Sequence, residues 1–301
     1  MDQNAELGDF LRSRRARMTP ESAGVSPGGG ARRVPGLRRE EVARLAGVSS
    51  DYYTRLEQGR HPNVSESVLD AVARALQLDD VERGYLFNIV RPRAVQSARR
   101  RTSPPQRVRP EVHQMLDVLG SVSPAFVVNH RMDVLASNHL ARALITDFDA
   151  LTNRERNFAR FVLFGSAARD LYANWERTAE IILASLRLAS GSHPDDAQLN
   201  ELIGEACVKV PEFNAWWASH RLDLCSYGAQ HFRHPVVGDL TLHHETLAFP
   251  GDPDQTICLY TAEPGSPSAQ ALALLASWSA PDNSADTTAP ESPSSDTTRP
   301  A

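Results

Sequence analysis

Lysine is almost absent from this 301-residue chain: of 32 basic residues only Lys209 is not arginine. The bias fits GC-rich coding as well as a need for bidentate phosphate contacts, so it decides nothing. Cysteine is scarce too. Cys207, Cys225 and Cys258 are odd in number, far apart and without Cys-x-x-Cys spacing, which argues against a disulfide framework or a zinc ribbon and leaves them as small buried residues. No apolar run approaches the ~20 residues of a membrane-spanning helix, and no charged, apolar, small-residue leader opens the sequence. The chain is expected in the cytoplasm, with no membrane partner. Catalytic signatures are missing as well: there is no Gly-x-Ser-x-Gly elbow, no phosphate-cradling glycine loop and no dinucleotide fingerprint. No catalytic residue and no cofactor is assigned. His231, His234, His243, His244, Glu245 and Cys225 offer metal-ligand chemistry, but the odd spacing of His231 and His234 and the adjacency of His243 and His244 turn each pair to opposite sides of an extended segment. No metal site is assigned, and His234 before Pro235 reads as a structural corner.

What is present is a chain of about two domains, 41% hydrophobic and 23% charged. Its net charge of −5 conceals a split: residues 1–110 carry +7 and residues 111–301 carry −12. The basic part suits a phosphate backbone. Within it, residues 38–60 read as two short helices meeting at a sharp turn. Val42, Ala43 and Leu45 give the first an apolar side, Gly47 ends it, and Ser49 caps the second. Tyr53 and Leu56 then share a buried face, with Asp51, Thr54, Arg55 and Gln58 opposite.

These residues resemble the phage-repressor/Cro type of helix-turn-helix domain through Ala43, Gly47, Val48, Ser49, Tyr53, Thr54, Glu57 and Gly59. The resemblance makes residues 50–58 the recognition helix, entering the major groove of double-stranded DNA with its N-terminal part toward the base edges. It also pairs Glu57 with Arg15, or failing that Arg14, at the end of a first helix over 5–17 with Leu7, Phe10 and Leu11 inside. Ser50, Asp51, Thr54 and Arg55 are the expected base-reading residues, Ser49 and Tyr52 are further expected DNA contacts, and Arg38, Arg39 and Arg60 are expected on phosphates. Residues 18–36 read as a mobile arm, in which Arg32 and Arg33 are either DNA contacts or part of a tolerated insertion. Ser65 caps a fourth helix with Val68, Leu69, Val72 and Leu76 inside, and Asp79 with Glu82 forms a capping box for a fifth. The expected organisation is a five-helix DNA-binding domain over 1–90, a basic linker over 91–110 with seven Arg and four Pro, a second domain over 111–280 and a disordered tail over 281–301.

The second domain reads as mixed α/β. It opens with an amphipathic helix through Val112, Met115, Leu116, Val118 and Leu119. Strands follow at 125–129 and 132–136, helices from 137 to 220 including one over 171–189, strands near 232, 240–249 and 256–261, and a last helix over 268–278. Pro124 to Asn129, Asp133 to Ala136, Ala168 to Tyr172, Asn174-Trp175, His193 to Asp196, Pro211 to Phe213 with Trp217, His234 to Gly238 and Tyr260 to Ser266 resemble the ligand-binding domain of MmyB-like transcription regulators, which is PAS-like. Ala136-Ser137-Asn138 departs where the family often has Trp before Asn, and Gly165-Ser166 where Asp-Pro is common. The resemblance implies a transcription regulator whose second domain senses a small apolar or fatty-acid-like molecule. Phe126, Tyr172, Trp175, Phe213 and Trp217 are candidate pocket residues, and Arg169, His220 and Arg233 candidates for an acidic head group. A homodimer on a near-palindromic operator, associated with the nucleoid, completes the expectation. The alternatives are a second domain that is only a dimerisation scaffold, or an enzyme tethered to DNA.

Overall fold

The computed structural model describes residues 3–25, 35–60, 64–90, 107–218 and 227–279. Arg32, Arg33, His220, Cys225, residues 91–106 of the expected linker and the tail from 280 onward lie outside the described residues. Five helices form the N-terminal unit: α1 (Gln3–Arg17), α2 (Arg39–Ala46), α3 (Ser50–Glu57), α4 (Glu66–Ala75) and α5 (Asp80–Val90). Local chemistry sets their starts. Ser65 Oγ accepts the Val68 N–H at 3.3 Å, and Asp79 and Glu82 exchange side-chain-to-backbone bonds as a capping box. The core gathers Leu7, Phe10, Leu11, Tyr53, Leu56 and Leu69 among others. Two expectations change. Leu45 is 40% exposed, because the packed face of α2 is Val42, Ala43 and Ala46, one turn apart, and Leu45 falls beside it. Residues 18–25, read as the start of a mobile arm, are docked: Met18 and Val25 are buried in the core.

The second unit is a five-stranded antiparallel sheet between helices. Its strands are β1 (Ala125–Asn129), β2 (Val134–Ser137), β3 (Tyr227–His234), β4 (Gly238–Phe249) and β5 (Asp252–Thr261), in the order β2-β1-β5-β4-β3. Alternation divides the sheet's faces. Val127 and Ile257 face α6 (Pro110–Leu119), which buries Val112 and Leu116 against them. Phe126, Val128 and Tyr260 face the larger helical layer: α7 (His139–Leu144), α8 (Phe158–Phe164), α9 (Ser166–Leu171), α10 (Trp175–Ser192), α11 (Ala197–Lys209) and α12 (Phe213–Ala218). The last helix, α13 (Pro267–Ser279), packs on α7 and β4. This is the mixed α/β, PAS-like architecture expected.

Local corrections have local causes. Met115 and Val118 are exposed, because α6 buries only a narrow stripe. β2 starts two residues later than predicted: Asn129 Oδ1 takes the N–H groups of Arg131 and Asp133, each at 2.9 Å, and Met132 sits at φ +66° inside that turn. The helix predicted over 171–189 is α10 and begins only at Trp175, after a break from α9, since Tyr172 bridges to Phe232 and Asn174 caps α10 by accepting the Arg177 N–H.

The two units meet at a buried charge. Arg187 of α10, wholly buried, donates to Glu6 of α1 at 2.8 Å and to the Trp217 carbonyl, and lies over the Trp217 ring at 4.1 Å. Tyr85 of α5 donates to the same Glu6 oxygen, and burial together with that carboxylate pushes its hydroxyl pKa well above the ordinary value. Removing one partner strands the other charge. Arg187→Ala should cost about 3–5 kcal/mol in urea unfolding, and Glu6→Leu with Arg187→Met should recover most of it. A loss below about 1 kcal/mol for Arg187→Ala would show that the charge is not confined as described.

Candidate functional site

The turn between α2 and α3 is specified from both sides. Gly47 stands at φ +67°, a left-handed conformation that favours glycine, and Ser49 Oγ accepts the Tyr52 N–H at 3.1 Å. Tyr53 and Leu56, wholly buried, fix α3 on the core. Ser49, Ser50, Asp51 and Arg55 are left exposed, and Tyr52 and Thr54 half-buried. Arg55 pairs with Asp51 one turn away at 2.9 Å, an exposed contact of the kind worth ~1 kcal/mol or less, so it is readily exchanged for another partner.

Glu57 holds α3 in place. Its side chain has no exposure, and it accepts Arg15 Nε at 2.8 Å, Arg15 Nη2 at 3.0 Å and Arg39 Nε at 2.9 Å. Burial opposes its ionisation, yet the hydrogen bonds and charges of Arg15 and Arg39 hold its pKa below the ordinary range. Arg15 also donates to the Leu37 carbonyl at 2.8 Å, so one carboxylate ties α1, α2 and α3 together. Arg39, expected on a phosphate, therefore commits part of its half-exposed guanidinium to Glu57. Arg14, the alternative partner for Glu57, pairs instead with Glu82 at 2.5 Å. Arg38 starts α2 with its N–H on the Glu41 carboxylate at 2.7 Å and its side chain within 3.5 Å of Glu40. Arg60 is exposed.

In the second unit a cavity of about 590 Å³ lies between α10 and the sheet. Thr178, Ile181, Ser185, Leu188 and Ser192 line it from one stripe of α10, three or four residues apart. Val128, Cys258 and Tyr260 line it from the sheet, and Asn88 of α5 reaches it with a hydrogen bond to Ser192 at 3.3 Å. Burial pushes the Cys258 thiol pKa up to about 12, so the sulfur stays protonated and weakly reactive at neutral pH. His130, His193 and Asp254 cluster at the C-terminal end of α10. His130 is hydrogen-bonded to Asp196 at 2.8 Å; burial lowers its pKa, the Asp196 bond opposes that, and the neighbouring His193 adds to the lowering.

Comparison with known families bears on both units. Residues 6–86 match a helix-turn-helix domain, and residues 108–275 match the MmyB-like transcription regulator ligand binding domain. The chain belongs to the MmyB-like transcription regulators. No curated protein matches the chain. The regulator is a DNA-binding transcription regulator with a ligand-binding domain, and among its described residues no helix is long and apolar enough to cross a membrane.

None of the residues expected to line the regulator's pocket borders this cavity. Phe126 is packed behind it, 5.0 Å from Phe158 and 6.5 Å from Tyr260, both of which do line it. Tyr172 packs on Phe232. Trp175 donates its ring N–H to the Val162 carbonyl at 2.7 Å and carries Arg169 over its face at 3.5 Å. Phe213 stacks on Trp217, which seats Arg187. Arg233 is exposed on β3, and His220 lies outside the described residues. His234 is the structural corner expected, its Nε2 donating to the Ala143 carbonyl and its Nδ1 accepting the Val236 and Val237 N–H groups. Sequence reasoning missed the α10 stripe, although Thr178, Ser185 and Ser192 repeat at helical spacing among larger residues.

Because the pKa of Glu57 is depressed in the folded protein, its contribution is complete above the unfolded carboxylate value, ~4.3, and is lost as pH falls through the folded value. Glu57→Gln should lower stability at pH 7 by roughly 1–3 kcal/mol, the scale of charge-assisted hydrogen bonds. It should also flatten the acid limb of the stability curve. Denaturant titrations from pH 7 to pH 3 check this, and parallel curves for the two proteins would refute it.

Proposed function

We propose that the cavity takes a small, largely apolar ligand and that its occupancy changes affinity for operator DNA through α10. The observation that carries this reading is that one helix serves both places. Thr178, Ile181, Ser185 and Leu188 of α10 border the cavity, while Leu188 also packs against the helix-turn-helix core and Arg187 grips Glu6. The volume falls in the ~300–1,000 Å³ range of small-molecule sites, and its lining mixes aliphatic and aromatic surface with a polar end, which suits an apolar body carrying a polar or acidic head, as in a fatty acid. A ligand shifts DNA affinity only by its differential affinity for the two conformations.

On the DNA side, α3 is the reading helix in this proposal. Ser50, Asp51, Thr54 and Arg55 face base edges, Ser49 and Tyr52 lie near the backbone, and Arg38, Arg60 and the free face of Arg39 take phosphates. One such helix contacts only a few base pairs, so two copies of the regulator are proposed to bind a near-palindrome with half-sites about 10 bp apart or a multiple of it.

Two measurements test these readings. Arg55→Ala should relax preference at one base-pair position of each half-site, with ~1–3 kcal/mol of discrimination lost; equal loss of specific and non-specific affinity would make Arg55 a phosphate contact instead. For the cavity, native mass spectrometry of the protein purified from its host should find a small molecule, and the extracted compound should change the operator titration of the emptied protein. Ser185→Trp, which fills the cavity from α10, should abolish both the bound mass and the response while leaving a folded protein. Retention of the bound mass in Ser185→Trp would place the ligand elsewhere, and an operator titration indifferent to the compound would defeat the sensor reading.

A further inference from the structure

We propose that His130, His193 and Asp254 form a binding site for one divalent transition-metal ion, zinc foremost, at the C-terminal end of α10. The three come from separate elements: the turn after β1, the residue that ends α10, and β5. Each offers one donor atom, and the three donors lie within 4.8 Å of one another. Two imidazoles and a carboxylate suit zinc and its first-row neighbours rather than magnesium or calcium, which prefer all-oxygen shells.

The hydrogen bonds behind the histidines are those a metal ligand needs. His193 Nδ1 faces the Ala189 carbonyl at 3.3 Å, which favours the tautomer that leaves Nε2 as a lone pair; that nitrogen lies 3.3 Å from Asp254 Oδ1. His130 Nε2 is held by the Asp196 carboxylate at 2.8 Å, which leaves Nδ1 as the metal-binding nitrogen, and Nδ1 is buried with no hydrogen-bond partner among the described residues. A histidine backed by a carboxylate or a carbonyl on its far nitrogen is the usual outer shell of a bound metal. Asp196 is fixed in its turn. It accepts the Gln198 and Leu199 N–H groups and Arg131 Nη1 at 3.2 Å, so the Arg131 guanidinium is neutralised by Asp196 and Asp133.

Tetrahedral zinc needs donors about 3.3 Å apart, from Zn–N and Zn–O distances of ~2.0–2.1 Å. The two rings stack at 4.0 Å, so coordination requires them to tilt and Asp254 to move inward. Asp254 has the room, its side chain being 47% exposed. Three protein donors leave a fourth position for water or another small ligand. The site requires neither DNA nor an organic molecule in the cavity.

The test uses the untagged full chain, stripped with a chelator and titrated with zinc, and separately with cobalt(II), whose visible absorption reports a low-coordinate nitrogen and oxygen site. Calorimetry should give one ion per chain at micromolar affinity or tighter, and zinc should raise the melting temperature. His193→Ala and Asp254→Asn each alter a side chain that is partly exposed; each should weaken binding at least tenfold, remove the cobalt band and abolish the zinc-dependent rise in melting temperature. Melting without metal controls for misfolding, and His130→Gln provides a third variant that removes the Nδ1 donor from the opposite side. Absence of stoichiometric binding, or unchanged affinity in His193→Ala and Asp254→Asn, would overturn the proposal and assign any bound zinc to other histidines.

Discussion

The buried guanidinium of Arg187 is the constraint on which the arrangement of the two units depends. A charge removed from water costs several kcal/mol unless partners replace its hydration, and the partners here come from α1, α12 and the face of an indole ring. Glu6 is already engaged by Tyr85 of α5, so the N-terminal unit presents a prepared acceptor on its surface. Hydrophobic packing of α5 on α10 supplies area, but the ion pair is directional. It specifies one register of the two helices, and a slip of one residue would leave both charges buried and unpaired.

Helical geometry lets α10 serve three neighbours at once. Successive side chains turn by about 100°, which sends Thr178, Ile181, Ser185 and Ser192 toward the cavity, Trp175, Ala179, Leu183 and Leu186 into the helical layer, and Arg187 and Gly191 toward the N-terminal unit. Clearance on that last side is small. A Cβ on Gly191 would stand 3.0 Å from the Tyr85 ring, so a hydrogen there is what allows the close approach. A close-packed contact of this kind passes on displacement because it has little slack to absorb it. Tyr85 packs edge-on against Phe10 of α1 at 5.1 Å, and α1 is tied through Arg15 and Glu57 to α3. Each link in that chain is a buried contact or a bidentate pair.

The parts legible in the sequence were those governed by short-range rules. Gly47 and Ser49 announce the turn because left-handed φ and an N-cap each favour few residue types, and Asp79 with Glu82 announces α5 for the same reason. The Arg15–Glu57 pair spans 42 residues and was reached through the family resemblance, not through spacing. Apolar pattern did less well at its edges: Leu45, Met115 and Val118 were read as buried because an apolar stripe drawn from sequence is wider than the surface a neighbouring element covers. The break between α9 and α10 was invisible for another reason. Tyr172 leaves the helix to bridge Phe232, sixty residues away, and only the folded sheet offers that partner.

Large aromatic side chains are a poor guide to where this cavity lies. In a close-packed interior such rings fill space, so Phe126, Tyr172, Trp175 and Phe213 are where the domain is solid, and Trp175 and Trp217 are further occupied by Arg169 and Arg187. A cavity arises where side chains facing one another are too short to meet. On α10 those are Thr178, Ser185 and Ser192, and opposite them Val128, Thr256 and Cys258. A small or hydroxyl residue recurring at helical spacing on an otherwise bulky helix is thus the sequence sign of a lined space. The histidine and aspartate cluster has no such sign: residues 130, 193 and 254 share no spacing rule, and only the closing of the sheet onto the end of α10 brings them together.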